Sequence, residues 1–402
     1  MHKNLLQTAL VLGLLSAIGP FAIDMYLPAL PSIGSSLNAS AGAVQMSLMA
    51  FFIALGLGQV VYGPASDMYG RKLPLYVGLV MFAVGSVGCA LAPDIHTLVL
   101  WRAVQGLGAC AGMVVPRAVV RDLHTGEEAA SLTALLTLVF SVSPILAPLF
   151  GSFLIEWSGW RAVFWAVTVA AMLAMGLLFT GLEETRSTES RLSSSIGSAL
   201  RGYGVLLRDG HFIGLVLIGA FGISAFFSYL ANSSFVLIDH YGLTPREYSY
   251  AFGANAASFI GMSQLTGRMI KRFGMVPLVR LAVGGYAGTM LLLLVLHLAG
   301  LHSLALMLGL LFVGFGFLGL VLPTSAVLAL DEHGEIAGTA SALMGTLQFM
   351  VGAAVMACVG AFVDGTARPM LVGIAASAAL TLLFTWTTLR HHKEAAPSTA
   401  AH

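Results

Sequence analysis

The chain has 402 residues, 58% of them hydrophobic and only 9% charged, with a formal net charge of +1 and a mean hydropathy of +0.90. A soluble protein carries about a quarter charged residues, so an array of soluble domains is excluded, as are a disordered chain and a nucleic-acid-binding one. A membrane-crossing helix takes about 20 apolar residues, and twelve apolar stretches of about that size follow one another with short joins.

The predicted spans, in chain order, cover residues 5–30, 42–64, 75–92, 97–119, 130–155, 161–182, 212–238, 248–270, 275–299, 302–329, 337–362 and 369–389. The first begins like a secretory leader. No small-residue cleavage site follows, and the run continues past Asp24, so it is read as a span. Cysteines 89, 110 and 358 all fall in apolar runs and read as small packing residues rather than a disulfide framework. Lys3, Arg71, Lys72, Arg121, Arg186, Arg191, Arg201, Arg208, Arg268, Lys271, Arg272, Arg280, Arg390 and Lys393 fall on one side of the predicted membrane, against Arg161, Arg246 and Arg368 on the other. Basic residues mark the cytoplasmic side, which predicts both termini in the cytoplasm.

The longest break, rich in serine and charge, divides the chain. Residues 1–182 form a first six-helix half, 183–211 a cytoplasmic linker, 212–389 a second half and 390–402 a cytoplasmic tail. The halves repeat: Gly63-x3-Asp67-x2-Gly70 after span 2 returns as Gly267-x3-Lys271-x2-Gly274 after span 8. A weaker echo pairs Asp122-Leu-His124 through Ser131 with Asp331-Glu-His333 through Ser341. Parallel six-helix repeats are a transporter architecture, with the substrate site between the halves near mid-membrane.

Among the acids, Asp24 alone lies inside a span, within Asp24-Met-Tyr26-Leu-Pro28-Ala-Leu-Pro31. A charge there costs on the order of 2.5–3.5 kcal/mol and normally faces a cavity or a partner. Arg102 in span 4 lies ~8 Å inside the membrane and Asp24 ~9 Å inside from the same surface, at 1.5 Å per residue. The two therefore read as a pair. Desolvation and a neighbouring cation pull a carboxyl proton in opposite directions, which is what proton coupling requires. Read alone, Asp24 also fits a helix-end acid reaching interfacial water, and Arg102 a snorkelling anchor.

Gln105 lies one turn from Arg102. Gly63, Asp67, Gly70 and Arg71 form a tight loop that reads as a gate, with Asp67 attracted to the positive end of span 11. Pro144 and Pro148, with Gly151, bend span 5 into a candidate hinge. Tyr26, Gln105, Phe226, Tyr229, Asn232, Asn255 and Gln348 are the candidate cavity wall, mixing aromatics with few polar groups as bulky apolar ligands require. Enzyme signatures are absent: there is no HExxH and no Walker loop, and Gly314-x-Gly316-x2-Gly319 lies inside an apolar span where helix packing explains it.

Gly63-x3-Asp67-x2-Gly70-Arg71-Lys72 resembles the loop 2–3 motif of the major facilitator superfamily, and Arg102-x2-Gln105-Gly106-x-Gly108 resembles its proton-coupling motif. Ala147-Pro148-x2-Gly151 is similar to its antiporter motif, with Ala147 and Ser152 where glycine is usual. Asp24 through Pro31 and Arg117-Ala-Val-Val-Arg121-Asp122 resemble segments of bacterial drug/proton antiporters of the bicyclomycin and chloramphenicol resistance type. The resemblance implies an all-α fold of twelve transmembrane helices in two pseudo-symmetric halves. It further implies export of small lipophilic drugs in exchange for protons across the bacterial inner membrane, by a monomer with no cofactor, no metal and no nucleic-acid partner. Asp24 would carry the proton, Arg102 would couple to it, and Asp67 with Arg71 would gate the cytoplasmic side. An uptake carrier or metabolite exporter on the same scaffold is the alternative.

Overall fold

The computed structural model describes residues 2–123, 126–187, 196–331 and 333–390. The predicted tail beyond residue 390, and residues 188–195 of the predicted linker, lie outside the described residues.

The first span is broken. Helix α1 (His2–Asp24) gives way to a 3-10 turn at Leu27–Ala29 and then to α2 (Leu30–Ser36). Pro28 lacks a backbone donor and its ring clashes with the carbonyl four residues back, that of Asp24, so the α-helical ladder of α1 ends at the acid and a 3-10 turn follows. Five helices complete this half: α3 (Ala41–Tyr69), α4 (Lys72–Leu91), α5 (Ile95–Leu123), α6 (Gly126–Ser158) and α7 (Arg161–Gly181). The predicted linker contains a helix that the sequence analysis did not anticipate, α8 (Ile196–Arg208). The second half comprises α9 (Gly210–Ser234), continued by a π turn over Phe235–His240, then α10 (Pro245–Phe273) and α11 (Met275–Leu298). It ends with α12 (Leu304–Asp331), α13 (Ala337–Gly360) and α14 (Arg368–Leu389).

Among the described residues, eleven helical stretches are long and apolar enough to cross a membrane, the first of them, Thr8–Ser36, running through α1 and α2. The twelfth expected span, α10, is 29 residues long, but its uncharged stretch 248–267 carries Asn255, Gln264 and several serines and glycines, which hold its hydropathy below that standard. Its start is fixed by a capping box: Thr244 Oγ1 accepts from Glu247 N, and the Glu247 carboxylate accepts from Thr244 N at 2.8 Å.

Helix pairing repeats between the halves. In the first, α3 packs on α5, α4 on α5 and α7, and α1 on α5, α6 and α7. In the second, α10 packs on α12, α11 on α12 and α14, and α9 on α12, α13 and α14. The crossings use matching close approaches: Gly106 of α5 sits on the Phe51 carbonyl, and Gly319 of α12 on the Phe259 carbonyl, where no Cβ fits. The loops repeat as well, since Gly70 (φ +90°) and Gly274 (φ +79°) both take a left-handed φ that favours glycine.

Two long contacts join the halves, α3 with α13 and α6 with α10. Their polar ties run from mid-helix towards the face opposite the chain ends, called here the far face. Thr346 Oγ1 donates to the Gly56 carbonyl (2.9 Å), and α3 is also tied to α9, where Gln45 Nε2 donates to Asn232 Oδ1 (2.8 Å). Ser249 Oγ donates to the Pro148 carbonyl (2.9 Å), and Arg246 pairs with Glu156 (2.8 Å).

Candidate functional site

Asp24, the last residue of α1, is 5% exposed and accepts a 2.9 Å hydrogen bond from Ser143 Oγ of α6. Arg102 on α5 has no exposed surface. Its Nη1 donates to Gln105 Oε1 (2.6 Å) and, at 3.4 Å, to the Ala22 carbonyl. The guanidinium is sandwiched between the rings of Tyr26 and Phe51, each centroid 4.4 Å away. Gln105 passes the chain on to Ser86 Oγ (2.7 Å), and the Tyr26 hydroxyl bonds Ser47 Oγ (2.6 Å). Arg102 Nε and Nη2 have no partner.

The direct Asp24–Arg102 pair expected from matched depths is therefore corrected: the two groups form no ion pair. Matched depth fixes height, not azimuth. Residues two apart on a helix point about 200° apart. The Ala22 carbonyl meets α5, while the Asp24 carboxylate meets α6. Face-on cation–π contact, worth about 2 kcal/mol when desolvated, and one amide oxygen take the place of a counter-ion at Arg102.

Arg71 shows the opposite arrangement at the termini face. Its Nε and Nη2 take Asp122 in a two-pronged contact (2.7 and 3.1 Å), while Nη1 reaches Asp67 (2.8 Å) and Ser66 Oγ (2.8 Å). Burial works against the Arg71 charge, yet the hydrogen bonds and charges of Asp122 and Asp67 hold its guanidinium above the ordinary arginine value. Glu184 caps the start of α4 by accepting from Arg71 N (2.8 Å) and Lys72 N (3.1 Å). Arg186 Nε donates to the Asp67 carbonyl at 3.1 Å and its Nη1 lies 3.8 Å from the Asp67 carboxylate.

The expectation that Asp67 reaches for the start of span 11 is likewise corrected. Full charges on Arg71 and Arg186 outbid the partial charge of a helix end, and it is Gly202 of α8 that packs on Thr339 of α13. At Gly63 an added Cβ would meet open space, so close approach does not explain that glycine.

The hinge residues connect these regions. Gly151 of α6 sits on the Met25 carbonyl with no room for a Cβ. Ser143 holds Asp24, and five residues on, the Pro148 carbonyl holds Ser249 of the other half. Of the expected cavity wall, Tyr229 and Asn255 are buried and satisfy each other (Asn255 Nδ2 to Tyr229 Oη, 2.9 Å). Phe226 lies in an aromatic cluster with Phe252, Phe259 and Phe315. Gln348 packs on Gly219, and Asn232 holds Gln45 across the halves. Sequence reasoning gave no role to Ser143, Gln45 or Glu184, and used Arg186 only as a marker of orientation. The one signal for Gln45 was an amide inside an apolar span.

The family model of the Major Facilitator Superfamily matches residues 12–357. The chain is 38% identical over 371 residues to the uncharacterized MFS-type transporter YdgK of Bacillus subtilis, covering 92% of each protein. It is 29% identical to the bicyclomycin resistance protein homolog of Haemophilus influenzae, covering 95% of this chain and 96% of that one. To the multidrug resistance protein D of Escherichia coli it is 28% identical, covering 94% and 95%. Among solved structures, a D-xylose-proton symporter superposes with a TM-score of 0.76 at 17% identity, covering 95% of this chain and 97% of that one, which shows a shared fold. With repeated helix pairing, the paired glycine turns and a match along most of its length, this multi-pass membrane protein belongs to the Major Facilitator Superfamily of transporters and is not an enzyme.

Proposed function

We infer that the chain exports small lipophilic drug-like compounds in exchange for protons, as a monomer in a bacterial inner membrane with both termini cytoplasmic. The basic residues crowded on the termini side support the orientation. One observation carries the mechanism: α6 holds the buried acid of one half at Ser143 and bonds the other half at Pro148, five residues away.

In the arrangement seen here the Asp24 carboxylate accepts from Ser143. When the bent segment of α6 shifts against α10 and opens the far face, protonation of Asp24 from outside weakens its acceptor, loosens the bond to Ser143 and releases cargo. Each charge carried inward adds about 2.3 kcal/mol per 100 mV. Arg102 acts through the α1 backbone at Ala22 rather than on the carboxylate, as a positioning residue. Asp67, Arg71 and Asp122 lock the termini-side loop within the first half while the halves rock.

The relatives named for bicyclomycin and multidrug resistance favour drugs as cargo over nutrients. The test is drug-induced proton release in energised inverted vesicles, with an amphenicol, bicyclomycin and lipophilic-cation panel. A response in the wild type that Asp24→Asn removes is expected. A full response in that variant refutes the role of the acid, and silence of the wild type across the panel, with nutrient accumulation by intact cells, establishes the carrier alternative.

A further inference from the structure

Away from the contacts between the halves, the far-face turn from α11 to α12 brings two imidazoles together. The segment His297-Leu-Ala-Gly300-Leu-His302-Ser303 has little backbone freedom. At the end of α11, Gly300 N donates to the His297 carbonyl and Leu301 N to the Leu296 carbonyl, both at 3.0 Å, with Gly300 at φ +91°. Ser303 already caps α12: its carbonyl accepts from Met307 N (3.0 Å) and its hydroxyl from Leu306 N (3.4 Å). His302 is therefore fixed on both sides. Tyr241, just past the π turn, adds a third tie by donating its hydroxyl to the His302 carbonyl (3.4 Å).

So constrained, His302 folds back on the last turn of α11, where its Nδ1 stands 3.2 Å from His297 Nδ1. Hydrogen bonding accounts poorly for that approach. A straight N–H···N bond of this length would hold the ring centres about 5.5 Å apart. They stand 4.4 Å apart with planes at 75°, so the two nitrogens do not meet head-on. Two imidazole nitrogens on one ion, each about 2.0–2.1 Å from it at square to tetrahedral angles, stand about 2.8–3.4 Å apart. The observed spacing falls inside that range.

The span ends at Leu298, one residue past His297, and His302 is exposed, so the pair stands at the membrane edge within reach of water. His240 and Arg368 are close enough to act on His297 through charge, but both are exposed, where water and salt screen them. Among the described residues no three metal-binding side chains converge, so here the protein offers two ligands and water completes the shell.

We propose that His297 and His302 form a far-face site for a borderline divalent transition metal, Zn²⁺, Ni²⁺ or Cu²⁺, held through both Nδ1 atoms. Paired imidazoles suit these ions, whereas Mg²⁺ and Ca²⁺ take oxygen ligands. The bound ion clips the end of α11 to the start of α12 within the second half. It is independent of what the transporter carries and of Asp24.

The test is calorimetric titration of the purified, untagged full-length protein with ZnCl₂ and with MgCl₂. The sequence holds another adjacent pair, His391 and His392, outside the described residues, so His391→Ala with His392→Ala serves as the background. In that background Zn²⁺ binds and Mg²⁺ does not, and His302→Ala, at an exposed position, weakens Zn²⁺ roughly ten-fold or more. His302→Cys supplies a thiolate at the same place and retains binding, which separates loss of a ligand from loss of fold. Because the ion joins two helices, Zn²⁺ also raises the thermal unfolding midpoint of the background protein and not that of His302→Ala. The proposal is overturned by unchanged Zn²⁺ affinity in His302→Ala, by absence of Zn²⁺ binding in the background protein, by Mg²⁺ binding as strongly, or by a midpoint shift that His302→Ala preserves.

Discussion

Arg102 and Arg71 are both buried, at 0% and 3% exposure, and the protein keeps their charges by contrary means. Arg71 is gripped by two carboxylates, a hydroxyl and a capped helix start, so its neighbours fix its position. Arg102 faces two aromatic rings and one amide, with two nitrogens unpartnered and the nearby acid turned to another helix. The first arrangement favours one structure. The second leaves a charge whose best partner is not in contact in this state, which is the less stable condition and the one suited to a change of state.

The largest expected effect is at the gripped arginine. Arg71→Ala leaves Asp122 without its cation and Asp67 with Arg186 alone, at 3.8 Å, and should destabilise the protein by about 3 kcal/mol, towards the low end for a broken buried pair because Asp67 is 44% exposed. Thermal unfolding in detergent measures it, and an unchanged midpoint would show that the network is ornamental. Arg102→Met should act in the opposite sense, holding or raising stability by about 1 kcal/mol or more while stopping proton-coupled transport. A marked fall in its unfolding midpoint would show that the two rings and Gln105 stabilise the charge outright, and would erase the contrast. A further comparison separates two glycines, and includes the smallest effect. Gly151→Val drives a side chain into the Met25 carbonyl and should cost about 1–3 kcal/mol, whereas Gly63→Ala enters open space and should stay within about 0.5 kcal/mol. Equal shifts would mean that the α1–α6 contact is looser than it stands here.

Much of the fold was legible because its cause is local. Each apolar stretch becomes a helix since lipid offers the backbone no other partner, and the repeat at Gly70 and Gly274 shows as a repeated left-handed turn. The linker helix α8 was missed because its apolar positions are scattered among glycines, arginines and a serine and emerge only as one face of a helix. At the site, the residue types were legible and their pairings were not. Asp24 and Arg102 announced themselves as charges among apolar neighbours, but depth along a helix says nothing about direction around it.

Composition and pattern alone thus determined a polytopic helical membrane protein built from two like halves, with its rare intramembrane charges marked, because burying apolar surface and satisfying the backbone are decided segment by segment. Only the tertiary structure decided that Asp24 is held by Ser143, that Arg102 is held by rings, that Asp67 answers to Arg71 and Arg186, and that Tyr229 and Asn255 close on each other. Those outcomes depend on the azimuth of one helix against the next, which is set by packing between residues far apart in the chain.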